Sequence, residues 1–326
     1  LKRDPMSAQL HNSYGASCIN MKRYSTAVES FETALSLDPE FIDAEYHKAH
    51  PLLIQGLFDE GWQAYEKRFS MTLGKPTTRY VQMATPQWRG ENLVGKSLFI
   101  WAEQGLGDQA MYASCLQDLL AIDNLHLVAS CDDRLIDMFV RSFPSIRFIK
   151  EDSKGEYAEL TQVFDFQCAM GSLPAVLRPK IESYPTGAYL KPDLRELKAW
   201  SDEFKGLPYD LNVGVSWRGS MSPTLRYKRS IGLEAWSDIF SLSANFVSLQ
   251  YGHVVDEIEK LNRRNFHHYA EVIPSLNIDS WAAQIAALDL VITVDNSTAH
   301  FAGALGIPTI LALPYEAEWR WLIDAP

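Results

Sequence analysis

After Lys96, short apolar runs alternate with helix-like stretches, and each run closes on a polar or glycine-containing turn. Leu98–Ala102 precedes a helix over Gln109–Leu120, and Leu125–Ser130, Arg134–Phe143 and Ile146–Lys150 continue the series. Val163–Cys168, a Ser-Leu-Pro stretch at 172–174 and Ala188–Lys191 follow, and a charged segment, Asp193–Gly206, bridges to a second series. That series runs Leu211–Trp217, Phe246–Gln250, a helix at Asp279–Leu288, Leu290–Val294, a helix at Ala299–Leu305 and Thr309–Leu313. Strands joined through helices pair in parallel, so the pattern predicts an α/β class with two Rossmann-like domains. A chain of 326 residues has room for two or three domains.

The first seventy residues read differently. Two helices cover Ala8 to Phe41, turning at Lys22-Arg23-Tyr24, with Leu10, Tyr14, Ser17, Cys18 and Met21 on one face of the first. Gly15, Ala27 and Ala34 are small enough for close approach, Phe31 fills between the helices, and Asp38-Pro39 closes the second. A degenerate copy follows, in which Pro51 interrupts the first helix and Phe58, Trp62, Tyr65 and Phe69 line the second. The offsets of Gly15, Ala27, Phe31, Ala34 and Pro39 resemble those of tetratricopeptide repeats. Such a segment implies either a concave surface for an acceptor or partner, or a packing appendage. Met71–Gly95 reads as a linker pinned by Trp88. The predicted organisation is 1–70 helical hairpins, 71–95 linker, 96–206 N-terminal Rossmann-like domain and 207–326 C-terminal Rossmann-like domain.

In parallel sheets ligands collect at the carboxyl ends of strands, which directs attention to three turns. In Thr293–Pro314 a strand runs into Asp295-Asn296-Ser297-Thr298 and then a helix whose first amides suit a phosphate, with His300 one turn on. The same Asn-Ser-Thr would also serve as an ordinary helix cap. In Gly214–Ile231 a strand ends at Trp217 and Arg218, and a polar loop delivers Arg226, Lys228 and Arg229. These four cations stand out in a chain of net charge −11, and guanidinium forks fit phosphate oxygens; a solvated basic loop is the plainer alternative. In Glu103-Gln104-Gly105-Leu106-Gly107-Asp108-Gln109 two glycines permit close backbone approach to a ligand, and Asp108 falls in the first turn of a helix. Capping alone would account for that aspartate, though not for Glu103 and the two amides beside it.

The net charge argues against nucleic acid as a partner, and no apolar run reaches the ~20 residues of a membrane span. Four dispersed cysteines without a C-x-x-C pair fit a reducing, cytoplasmic setting, not zinc or disulfides. The polar start carries no signal peptide, and the absent initiator Met and abrupt end at Pro326 suggest a fragment.

The stretches WAEQGLGDQAMYASCL, MGSLPAVL, AYLKPD, GVSWRGS, KRSI, VDNSTAHFAGALGIPTILALP and EWRWL, in that order, resemble bacterial tetratricopeptide-repeat proteins bearing a glycosyltransferase domain akin to the heptosyltransferases. The resemblance implies a GT-B fold and metal-independent, inverting transfer from a nucleotide sugar, with no cofactor beyond that donor. It gives Asp108 the role of general base. Arg229, placed ahead of Trp236, becomes a donor-phosphate ligand, and Asp295–Phe301 becomes the diphosphate-holding stretch. Arg218, Lys228, Asn296, Ser297 and Thr298 complete the expected diphosphate set. Gln104, Gly105, Gly107, Trp217, Asp295 and His300 are candidate ligand contacts; Glu103 has no assigned role. Because the two turns fall in different predicted domains, catalysis would also require domain closure over the donor. The acceptor would be a glycan, lipid or protein, held in part by the helical repeats. A non-catalytic, repeat-bearing scaffold and a nucleotide-sugar epimerase are the other readings.

Overall fold

The structure, a computed structural model, describes residues 4–71, 81, 83–152, 157, 160, 163–219 and 227–323. Most of the 71–95 linker's centre, and Ser220 through Arg226 of the basic loop, lie outside the described residues. The chain divides into two compact units, one of 1–104, 152–185 and 315–326, the other of 105–151 and 186–314.

The first unit begins with four helices, α1 (Ala8–Asn20), α2 (Tyr24–Leu37), α3 (Ile42–Ile54) and α4 (Phe58–Tyr65). Ser7 caps α1 by accepting from the Leu10 amide. Gly15 lets α1 meet α2: a Cβ there would sit 2.7 Å from the Phe31 ring. Cys18, Ala27, Phe31, Ala34 and Ala44 form the small core of these hairpins. The buried stripe of α1 is Asn12, Gly15 and Cys18, while Leu10, Tyr14 and Met21 face outward. Pro51 does not interrupt its helix, contrary to the reading from sequence. It lies inside α3, buried, because losing one backbone donor in a well-packed helix is tolerated when its ring faces the core.

The rest of this unit holds β1 (Ser97–Trp101) paired in parallel with β4 (Phe166–Ala169), with α8 (Leu173–Leu177) after it. Trp88 is buried against this edge, its amide donating to the Gln167 carbonyl at 2.8 Å. The segment 315–323 belongs here too: Trp319 packs edge-on against Trp62, ring centres 5.1 Å apart, and the Ile323 amide donates to the Ile54 carbonyl.

The second unit contains α5 (Leu106–Tyr112), a 3₁₀ turn at Ala113–Cys115 and α6 (Leu116–Leu120), where the sequence pattern predicts one helix. Next come β2 (His126–Cys131), α7 (Ile136–Ser142) and β3 (Arg147–Lys150), with β2 and β3 parallel. A five-stranded parallel sheet follows, ordered β7-β6-β5-β8-β9 from β5 (Asn212–Ser216), β6 (Asn245–Ser248), β7 (Phe266–His267), β8 (Leu290–Val294) and β9 (Thr309–Ala312). Its helices are α9 (Leu194–Lys205), α10 (Val255–Leu261), α11 (Ile278–Ala286) and α12 (Ser297–Ala304). The charged segment read as a bridge is therefore the helix α9, capped by Asp193. Ala188–Lys191 joins no sheet; the amides of Tyr189 and Leu190 instead donate to the Ala304 carbonyl, closing the end of α12.

Candidate functional site

At the end of β8 the Asn296 side chain does two jobs. Its Oδ1 accepts from the Thr298 amide at 2.9 Å and from the Thr293 hydroxyl at 3.1 Å, capping α12. Its Nδ2 donates to Ser216 Oγ at 2.8 Å and to the Arg218 carbonyl at 3.1 Å, tying the helix to the end of β5. Ser216 Oγ in turn donates to Gln250 Oε1, which also receives the amides of Trp217 and Arg218 at 2.9 and 2.7 Å. One buried amide group thus organises the strand end from the far side. Nothing in a lone Gln after an apolar run announces this from sequence.

The cations separate here. Arg218 turns to α10, with Nη1 on Glu257 Oε1 at 2.7 Å and Nη2 on the His253 carbonyl at 2.8 Å. Trp217 is fully buried and donates its indole N–H to Glu257 Oε2 at 2.7 Å, so it packs the core and offers no ligand-facing surface. Lys228 is exposed. Arg229 is the cation brought to the head of α12: its Nε is 3.4 Å from Asp295 Oδ2, and Asp295 is buried. The chain returns to this point by pairing, the Gly219 amide donating to the Arg229 carbonyl and the Ile231 amide to the Trp217 carbonyl, both at 2.9 Å. Gly219 is required here because a Cβ would stand 2.7 Å from the Asp295 carbonyl oxygen and 2.9 Å from Arg229 Cβ.

The glycine-rich turn meets the same helix end. A Cβ on Gly107 would lie 2.9 Å from His300 Cδ2 and 3.3 Å from both Cα and Oγ of Ser297. The first turn of α5 therefore rests directly on the first turn of α12, within one compact unit. Asp108 closes the α5 start, its Oδ2 accepting from the Gly105 amide at 3.1 Å. Ser297 and His300 are half-buried, and Thr298 is wholly buried with its hydroxyl unpartnered among the described residues. Gln109 is buried and spans two strand ends, accepting from the Asp132 amide at 2.9 Å and donating to Glu151 at 3.1 Å. Burial pushes the Glu151 carboxyl above the ordinary 4.5, opposed by the Gln109 hydrogen bond and helped by the Asp132 charge.

Glu103 and Gln104 work within the other unit. Arg68, wholly buried in the 3₁₀ turn Glu66–Phe69 that follows α4, reaches Glu103 with two hydrogen bonds of 3.0 and 2.6 Å, and Ser172 Oγ and Glu66 at 2.8 and 2.7 Å. The Gly171 amide also donates to Glu103, at 2.9 Å. Gln104 stands in the left-handed region at φ 66° and donates to the Tyr65 hydroxyl at 2.7 Å. Burial alone would lower the Arg68 pKa, but the charge and hydrogen bonds of Glu103 outweigh it and keep the guanidinium firmly charged.

Comparison with known proteins bears on the same residues. Residues 250–313, from the organising glutamine through β9, match the profile of glycosyltransferase family 9 (heptosyltransferase). The match covers these 64 of the 326 residues. The fold agrees: a glycosyl transferase family 9 structure from Veillonella parvula superposes with a TM-score of 0.53 at 12% identity, over 69% of this chain and 83% of that one. The heptosyltransferase WaaC of E. coli, solved with ADP, superposes with a TM-score of 0.47 at 13% identity, over 68% and 92%. Protein FlbA of Caulobacter vibrioides is 29% identical across 99% of this chain, which spans 62% of FlbA's length. Among the described residues, no group of three or more His, Cys, Asp or Glu side chains is placed to hold a metal ion, and no helix is long and apolar enough to cross a membrane.

Proposed function

We propose that this protein transfers a sugar, with inversion and without a metal, from a nucleoside-diphosphate donor to an acceptor hydroxyl. The observation that carries the reading is the contact of the Gly107–Asp108 turn with the head of α12, where Arg229 also stands. A departing nucleoside diphosphate gathers negative charge. The amides and positive end of α12, with Arg229, would offset it. Asp108, its direction fixed by the Gly105 amide, would take the proton from the acceptor hydroxyl. Asn296 would act by holding the helix head in place, since both ends of its amide are engaged within the fold.

The test is transfer and donor hydrolysis with ADP-, GDP- and UDP-sugars. Asp108→Asn should keep the cap and donor binding but slow turnover by about 10²–10⁴-fold. Arg229→Ala should raise donor KM about tenfold or more, as for loss of a charged hydrogen bond to phosphate. Wild-type rates in both variants would remove this site assignment. The engagement of Arg218 by Glu257 favours a second reading, a module that binds a nucleotide sugar without turning it over. Saturable binding of a nucleoside diphosphate with no transfer to any acceptor would select it. Under either reading the four N-terminal helices would present the acceptor or partner.

A further inference from the structure

The helix that carries Asp108 is seven residues long and begins on a glycine, which has no side chain to cap it. A helix this short is marginal in isolation, so its direction comes from what its residues meet. Successive residues of an α-helix project about 100° apart, so neighbours in the first turn face different ways. Gly107 meets the head of α12, Asp108 turns back to the Gly105 amide, and Gln109 points into the fold, 1% exposed. We propose that Gln109 is a positioning residue for Asp108. Its buried side-chain amide clamps the first turn of α5 to the ends of β2 and β3, and so aims the carboxylate that takes the acceptor's proton. This role rests on Asp108 being the base.

Both ends of the amide are engaged. Oε1 accepts from the Asp132 amide, just past β2, at 2.9 Å, and Nε2 donates to Glu151 Oε2, just past β3, at 3.1 Å. The two strand ends make a firm platform. The Glu151 amide donates to the Cys131 carbonyl at 2.7 Å, and Asp132 receives the Arg134 guanidinium through Nε and Nη2 at 2.8 and 2.7 Å. The Gln109 backbone amide closes the turn itself, donating to the Gly105 carbonyl at 3.0 Å. All of these residues belong to one compact unit. An apolar side chain of the same length would fill the space equally well. What the amide adds is direction, because hydrogen bonds at both of its ends fix the rotation and the depth of the turn. Burial and double engagement also keep Gln109 from touching a substrate, so it acts through Asp108. Displacing a catalytic group by about 1 Å costs on the order of 10²-fold in rate, and the clamp prevents such a displacement.

Gln109→Met keeps the volume and removes both side-chain hydrogen bonds. With the ADP-, GDP- and UDP-sugars, kcat should fall by about 10–100-fold and donor KM should change by less than about threefold, since α12 and Arg229 hold the donor phosphates. A role in stability alone would lower Tm and leave the kcat of the folded enzyme as it was. Gln109→Glu sets a second carboxylate against Glu151 and should be at least as slow. Adding Glu151→Gln returns a donor–acceptor pair with its roles exchanged, and should bring kcat back to within about fivefold of wild type. Hydrogen exchange read by mass spectrometry tests the clamp without turnover. Opening of 105–112 should be at least about tenfold faster in Gln109→Met, with β8 unchanged, and slow again in the double variant. Wild-type kcat or unchanged protection of 105–112 in Gln109→Met would overturn the role, as would a double variant no better than Gln109→Glu. Asp108→Asn, measured alongside, separates the two readings. Turnover lost there but kept in Gln109→Met removes the positioning role and leaves the base; turnover kept in Asp108→Asn removes both.

Discussion

At Gly107 a single added methyl would press on His300 Cδ2 at 2.9 Å and on the Ser297 backbone at 3.3 Å. Gly107→Ala should therefore cost about 1–3 kcal/mol by overpacking and loosen donor binding with it, while leaving the α5 cap intact. Urea unfolding beside a donor titration checks both, and an unchanged donor affinity would detach Gly107 from the site. Arg68 offers a test of another kind. Arg68→Met leaves Glu103 buried without its counter-charge, a loss of about 3–5 kcal/mol. Adding Glu103→Leu should recover part of that, though not all, because the Gly171 amide then loses its acceptor. A double-mutant cycle on urea midpoints measures the coupling, and simple additivity of the two losses would refute it.

Among the elements, α1 and α2 depend on a missing side chain in the same way. Gly15→Ala drives a Cβ to 2.7 Å from a rigid, fully buried Phe31 ring and should destabilise the hairpin by about 1–3 kcal/mol. Hydrogen exchange should show this as faster opening of 8–37 before any change in the five-stranded sheet, and uniform loss across both would count against an independent hairpin. Much of this level was legible in the sequence. The 3.6-residue spacing located α1, α2 and α4, and the apolar run with its polar stop located β8 and α12, because each signal is carried by residues a few positions apart. Helix α9 was not legible as a helix, since most of its surface is charged and only Phe204 is buried. Nor was the continuity of α3 through Pro51, which is settled by the core around that ring.

Across the whole molecule, pH acts through imidazoles. His47, His50, His267 and His268 all have pKa values lowered from 6.5, chiefly by burial. Above 6.5 both folded and unfolded chains hold these groups neutral, and stability is full. As pH falls below 6.5 the unfolded chain takes up protons that the folded one refuses, so stability declines until the folded pKa values are passed. Glu151, raised above 4.5, works in the opposite sense by taking its proton early in the fold, but it is one group against four. Thermal melts should give a level Tm from about pH 7 to 8 and a falling one toward about pH 5. A Tm that does not move across that lower range would contradict the buried, neutral state of these histidines.

The sequence by itself determined the parallel α/β class, the helical start, the positions of the turns at 103–109 and 295–298, and the small residues that allow close packing. Those follow from periodicity, capping and side-chain volume, which are local properties of neighbouring residues. Only the tertiary structure decided what the turns do with their neighbours. It gave Arg218 to Glu257 and left Arg229 at the α12 head; it set Gly107 against Ser297 and joined Glu103 to Arg68, 35 residues away. Charges and amides carry no periodicity, and their partners depend on where distant segments cross. The likeness of the motif residues could point to the site, but the pairing of each ionic and amide group had to await the packed chain.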